Sequence, residues 1–290
     1  MIEPDKLKIH KRPSMEKPRL ILGLSGWMDG GDVSTASVGW LIDKLEANKF
    51  AEIAPAGFYI YNFPGLMDVA TLFRPYTKIK DGEIIAYNSP SNTFFCSTKE
   101  NVILFLGKEP HLMWEQYAEC IFRLCSEFGV ETIFFLGSVA GLVPHTREPR
   151  LFCTVSQGEL RETFRHYGVS FTNYEGPAGI STLLTAGCAE RGLKMVSLVA
   201  SIPAYVQGRN HKCIEALTRR LSGMLELNLE LTELQSISED FEKKLNEAVQ
   251  EQPELANNII KLEEDYDNEI FNHEMSALKQ WLEQQGIRVD

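Results

Sequence analysis

Arg19-Leu20-Ile21-Leu22-Gly23-Leu24, followed at once by Ser25-Gly26-Trp27-Met28-Asp29-Gly30-Gly31-Asp32, is the stretch on which the fold turns. A short apolar run that ends in a glycine-rich turn reads as a strand buried on both faces. Asp32 stands where a helix N-cap belongs, and the spacing predicts a helix over 33–48. Strand, tight loop and helix make the opening unit of an α/β sheet, and the same grammar recurs downstream. Strands are predicted at 132–136, 151–155, 169–172 and 194–200, and helices at 159–167 and at 180–191 behind Gly176-Pro177-Ala178-Gly179. Pro110 opens a helix that runs to Phe128 and stops at Gly129. Between these units, 58–62 reads as a strand and 63–76 as irregular. Asp81-Gly82 marks a hairpin within 78–87, and 93–96 and 102–106 give two more strands. The alternation argues for an α/β fold around a central sheet, and the hairpins make that sheet mixed.

Charge divides the chain more sharply than any motif. The net charge is −11, yet residues 1–227 hold equal numbers of acidic and basic side chains, so the whole excess lies in 228–290. Three segments are expected: an N-terminal extension over 1–18, an α/β sandwich domain over 19–227 and an acidic α-helical region over 228–290. In the tail Leu255, Ile259, Leu262, Tyr266 and Ile270 recur at helical spacing, which suits a helix packed on the body or, alternatively, on another subunit or a partner. An acidic chain is poorly suited to nucleic acid, whose phosphates call for clustered Lys and Arg. No signal peptide is visible, and the longest uncharged stretches fall short of the ~20 residues that a membrane span needs, so a cytoplasmic protein without membrane contact is expected. The six cysteines form no C-x-x-C pair and sit mostly in apolar runs, as expected of reduced, buried thiols. No His or Cys spacing suits a metal, and no cofactor is expected.

Three loops hold residue types that do chemistry. Gly26-Trp27-Met28-Asp29-Gly30-Gly31-Asp32 is rich in backbone N–H groups but fits no phosphate-binding fingerprint, and its two aspartates repel phosphate. It reads as a capped turn, or as a seat for a neutral, cationic or metal ligand. The second, Pro144-His145-Thr146-Arg147 with Arg150 beyond it, offers an imidazole beside two guanidinium groups, suited to binding an anion or moving a proton. A hydrogen-bonded structural histidine is the alternative. The third, Tyr174-Glu175-Gly176-Pro177, opens a helix, and Glu175 is either a general base or diol ligand, or a carboxylate capping the helix N-terminus. Ser138 is not in a G-x-S-x-G elbow, so a hydrolase nucleophile is not expected there.

Taken in order, Gly26-Trp27-x-Asp29-x-Gly31-Asp32, Pro144-His145-Thr146-Arg147, Tyr174-x-Gly176-Pro177 and Pro203-x-Tyr205 resemble the proteasome assembly chaperone family, closest to its type-two branch and its archaeal and bacterial relatives. The resemblance spans about residues 18–270. It implies a three-layer α/β/α sandwich similar in layout to purine nucleoside phosphorylases, self-association into small oligomers, and a non-catalytic role in guiding proteasome α-type subunits. Archaeal members that dock on proteasomes often end in a hydrophobic residue, a tyrosine and one more residue. This sequence ends Gly286-Ile287-Arg288-Val289-Asp290, and docking by that route is not expected.

Two readings follow. The first is a non-enzymatic, homo-oligomeric protein-binding scaffold. The second is a nucleoside- or amide-type hydrolase or transferase, with Asp29, His145 and Glu175 as the catalytic groups and Arg147 as an anion clamp. The second requires these side chains to line one concave cavity.

Overall fold

In a computed structural model that describes residues 5–284, the chain runs in order through β1 (Leu7–Ile9), β2 (Arg19–Ser25), α1 (Val33–Lys44), β3 (Asn48–Ile53), α2 (Met67–Thr71), β4 (Tyr76–Lys80), β5 (Glu83–Asn88), β6 (Thr93–Ser97) and β7 (Val102–Lys108). It continues through α3 (Trp114–Phe128), β8 (Thr132–Gly141), β9 (Leu151–Val155), α4 (Leu160–Phe164), β10 (Ser170–Phe171), α5 (Ile180–Glu190) and β11 (Lys194–Pro203). Three helices close the described chain: α6 (His211–Leu225), α7 (Thr232–Gln250) and α8 (Pro253–Gln284).

Among the described residues, nine strands form one mixed sheet in the order β1-β3-β6-β7-β2-β8-β11-β9-β10, and β4 pairs only with β5. The four central strands β7, β2, β8 and β11 are parallel. Period-two alternation along them sorts side chains to two cores. Leu20, Leu22, Ile133 and Phe135 face α3 and α5, while Ile21, Phe134, Leu136 and Val196 face α1 and α6. The molecule is a three-layer α/β/α sandwich with helices on both faces of its sheet. Gly23 permits the close approach of α1, since a Cβ there would lie 2.6 Å from a Val38 methyl and 2.8 Å from the Ser34 carbonyl. Gly129, with φ +67, supplies the left-handed residue that ends α3.

Several elements differ from the sequence expectations. Within the expected N-terminal extension, β1 pairs with β3 in the main sheet. The segment expected as a strand at 58–62 has none, because its backbone is used by a turn: the Phe58 carbonyl accepts from His111 N and Leu112 N, and Ile60 N donates to the His111 ring. The irregular stretch 63–76 contains α2. Helix α3 starts at Trp114 rather than Pro110, after a left-handed Met113. Helix α1 ends at Lys44 rather than near residue 48, where β3 begins. Strand β8 continues to Gly141 rather than ending at 136, because β11 stays paired with it that far. All six cysteines are buried and free. Residues 286–290 lie outside the described residues.

Candidate functional site

At the carboxyl edge of the central strands, β2 and β8 separate after the Gly23–Leu136 pair, the kind of crevice in which α/β proteins hold ligands. Here the chain's own loop fills it. Met28 O accepts from Ser138 N at 2.9 Å, and Ser138 Oγ donates to the Gly30 carbonyl at 2.6 Å. Ser34 at the start of α1 stitches the two strands where they part, accepting from Leu24 N and donating to the Leu136 carbonyl. Gly30 is required by proximity, since a Cβ would lie 2.9 Å from Ile202.

Asp29, not Asp32, caps α1. Its carboxylate accepts from Thr35 N at 3.0 Å and from the Thr35 hydroxyl at 2.8 Å. Burial pushes its pKa up, and the Thr35 bonds oppose that shift. Asp32 is left-handed, with φ 54, and makes no capping bond. A capping side chain needs extended backbone at its own position to reach back to the helix, which Asp32 lacks. Its exposed carboxylate instead meets Arg209 at 3.4 Å. Gly31, with φ +62, turns the chain so that its carbonyl accepts from Asn210 N, and Asn210 in turn caps α6.

A residue not singled out in the sequence, Glu109, ties the first loop to the third. Its Oε2 accepts from Trp27 N at 2.8 Å and its Oε1 from Ile180 N, the first residue of α5, at 3.1 Å. A carboxylate at a helix N-terminus is favoured by the dipole, and Glu109 takes the capping role open to Glu175. Gly26, with φ +140, leaves room for it: a Cβ there would lie 2.8 Å from Glu109 Cβ. Strand β10 is antiparallel to the central four, so 172–179 leads back from the opposite edge of the sheet instead of following a strand at this one. Tyr174 and Trp27 are both 66% exposed, Gly176 and Glu175 are exposed, and the Tyr174 hydroxyl donates to the Pro177 carbonyl.

The second loop is the seat of the acidic tail. His145 is buried; its backbone N–H donates to the Tyr205 hydroxyl, its Nδ1 lies 2.8 Å from the same oxygen, and its Nε2 lies 3.1 Å from Asn246 Oδ1 on α7. Tyr205 thus stands beside the second loop. Burial is the largest influence on His145 and pushes its pKa down. Thr146 donates to Glu263 on α8, and Arg147 grips Asp267 with two bonds of 2.9 and 2.8 Å. Arg150 pairs with Glu269 and stacks 4.2 Å from the Tyr266 ring centroid, and the Tyr266 hydroxyl donates to the Glu148 carbonyl. Pro144 is buried beneath these contacts. Of the apolar stripe, Ile259 and Tyr266 are buried, whereas Ile270 stays exposed.

Asp29, His145 and Glu175 are thus not joined by any hydrogen bond or ion pair among the described residues. The cavity beside His145 is lined by Arg147, Lys212 and Phe241 among others, and by neither Asp29 nor Glu175. Among the described residues, no group of three or more His, Cys, Asp or Glu is placed to hold a metal, and no helix is long and apolar enough to cross a membrane.

The molecule is thus an α/β/α sandwich whose strand-edge crevice is filled by its own first loop and whose second loop is bound by α7 and α8. The PAC2 family model matches residues 23–249, and the chain belongs to that family. No curated protein matches the chain. Among solved structures, a Mycobacterium tuberculosis protein of unknown function is 24% identical with a TM-score of 0.83, covering 95% of this chain and 93% of its own. A Corynebacterium glutamicum protein of unknown function is 22% identical with a TM-score of 0.80, covering 92% of this chain and 99% of its own. A Mycobacterium tuberculosis proteasome-assembly chaperone homologue is 26% identical with a TM-score of 0.72, covering 83% of this chain and 99% of its own.

Proposed function

We propose that the chain is a non-enzymatic assembly chaperone that self-associates and holds a protein client, with proteasome α-type subunits as the client class. The observation that carries this reading is the arm 61–88. Of the twenty exposed large apolar side chains among the described residues, eleven lie in it. Every residue of β4 is exposed, and every residue of β5 except Ala86. A two-stranded hairpin without a packed face is marginal in water, and so large an apolar patch marks an interaction surface. The arm's root is firmly held, which suits a presented surface. Asn92 Oδ1 accepts from the Tyr59 and Tyr117 hydroxyls and from Lys108 N, and Phe63 stacks on Phe73 at 5.0 Å.

Charge on the arm favours a second copy for self-association. Asp68, Asp81 and Glu83 balance Arg74, Lys78 and Lys80, and none of the six is ion-paired among the described residues. A balanced, unpaired set complements itself. The client class is supported by family membership and by the 26%-identical chaperone homologue.

The test is sedimentation velocity of the full chain and of its Ile79→Glu/Ile84→Glu variant, with native mass spectrometry after mixing each with purified proteasome α-type subunits. An oligomer that falls to monomer in the variant with unchanged circular dichroism, together with an α-subunit complex of the wild type, is the expected result. A monomeric wild type that takes up no α-subunit overturns the reading.

A further inference from the structure

Four carboxylates of the acidic tail are engaged on one basic patch of an otherwise neutral body. Glu263 and Asp267 meet Arg147, Glu269 meets Arg150, and Glu242 meets Lys212. Apolar anchoring of α8 is thin: among its described side chains, the buried large apolar ones are Ile259 and Tyr266. The carboxylates of Asp267 and Glu269 stay largely exposed in their pairs, and exposed ion pairs hold this end of α8 weakly. The tail therefore sits on the body as a ligand sits in a site, and its sequence records what the site accepts.

We infer that Arg147, Arg150 and Lys212 form a recognition surface for an acidic helical segment of a protein partner, which exchanges with the chain's own α7–α8. The resident occupant defines the pattern: Glu263-x-x-Tyr266-Asp267-x-Glu269, acids on one side of a helix around a single aromatic residue. The acid at 267 takes the fork of Arg147 with two bonds, and the acid at 269 takes Arg150. The ring at 266 lies under the Arg150 guanidinium and donates its hydroxyl to the Glu148 carbonyl. A carboxylate pair matches the planar guanidinium in a way that a diffuse anion does not, and the ring requirement selects a peptide over a nucleic acid. This inference rests on the proposed function only in taking the partner to be a protein.

The probe is a fluorescein-labelled synthetic peptide of residues 253–271, titrated by anisotropy into three full-length proteins: wild type, Glu263→Lys/Asp267→Lys and Arg147→Glu/Arg150→Glu. Repelling the resident tail raises the competent fraction of the site, so the first variant binds the peptide at least ~10-fold more tightly than wild type. The second variant loses binding. Hydrogen exchange of α8 in the wild type accelerates as peptide is added. Should charge reversal unfold the first variant, Glu263→Gln/Asp267→Asn gives a smaller gain in the same direction. Equal affinity for all the proteins overturns the inference, and so does equal competition by an oligonucleotide of matched charge. Peptide exchange without α-subunit uptake leaves the surface standing and removes only the proposed client.

Discussion

Removing the Glu109 carboxylate should loosen the carboxyl edge of the sheet at two named amides. In the folded chain it accepts from Trp27 N at 2.8 Å and from Ile180 N at 3.1 Å, linking the loop after β2 to the first turn of α5. Hydrogen bonds to a charged acceptor contribute ~1.5–3 kcal/mol each, and a carboxylate at a helix N-terminus adds ~0.3–1 kcal/mol. Trp27 is largely exposed, so water replaces much of the first bond, whereas Ile180 is 2% exposed and its N–H loses more. Glu109→Ala is therefore expected to cost about 2–4 kcal/mol by these magnitudes. Glu109→Gln keeps one acceptor and turns a donor toward the other N–H, at about 1–2 kcal/mol. Urea unfolding measures both, and amide hydrogen exchange locates them: Trp27 and Ile180 should speed up while β8 and β11 hold their protection. A cost under ~0.5 kcal/mol for Glu109→Ala, or exchange that rises uniformly, refutes the bridging role.

Three further outcomes follow from the same edge and its surroundings. Gly26→Ala places a Cβ 2.8 Å from Glu109 Cβ at φ +140 and should destabilise by about 1–3 kcal/mol, read in the same unfolding assay. Asn92→Ala removes the acceptor shared by Tyr59, Tyr117 and Lys108 N. Both hydroxyls also lie within reach of the Lys108 carbonyl, so Lys108 N is the main orphan and the cost should be about 2–4 kcal/mol, with mobility of 61–88 rising in hydrogen exchange. His145 has its pKa pushed below its ordinary value by burial, with Asn246, Glu242 and Glu263 opposing and Lys212 assisting. Folding then favours the neutral ring, so its contribution is complete above the unfolded pKa of about 6.5 and is lost as pH falls through the lower folded value. Wild type should lose more stability between pH 7 and pH 5 than His145→Gln, and parallel pH profiles would contradict this.

The elements read correctly from sequence are those whose own residues carry the signal. Strands β2, β8 and β11 are covered on both faces and so are nearly continuous apolar runs. The edge strand β1 and its neighbour β3 are short and half polar, Leu7-Lys8-Ile9 and Asn48-Lys49-Phe50-Ala51-Glu52-Ile53, and leave no such run. Phe58-Tyr59-Ile60-Tyr61 has the composition of a strand but is held as a turn by His111, a contact between distant residues. The loops of interest were legible as places, whereas the bonds made there were not. His145 meets Asn246, Arg147 meets Asp267, and Glu109 meets both Trp27 and Ile180, separations of 71 to 120 residues that no local pattern encodes. Glu109 itself had only its place after a strand and before Pro110 as a signal. The charge step near residue 228 was visible, but not that its acids would find Arg147 and Arg150.

The strand order has a consequence for synthesis. Strand β11 lies between β8 and β9, both of which precede it in the chain. Once Gly141 has been made, β8 waits with one hydrogen-bonding edge open until Pro203 follows. At ~5–20 residues per second that interval is roughly 3–12 s. During it a ten-residue apolar strand presents unpaired amides to any neighbouring chain. The nascent protein is thus most prone to wrong pairing at mid-length, and arrival of β11 seals the sheet in a single step.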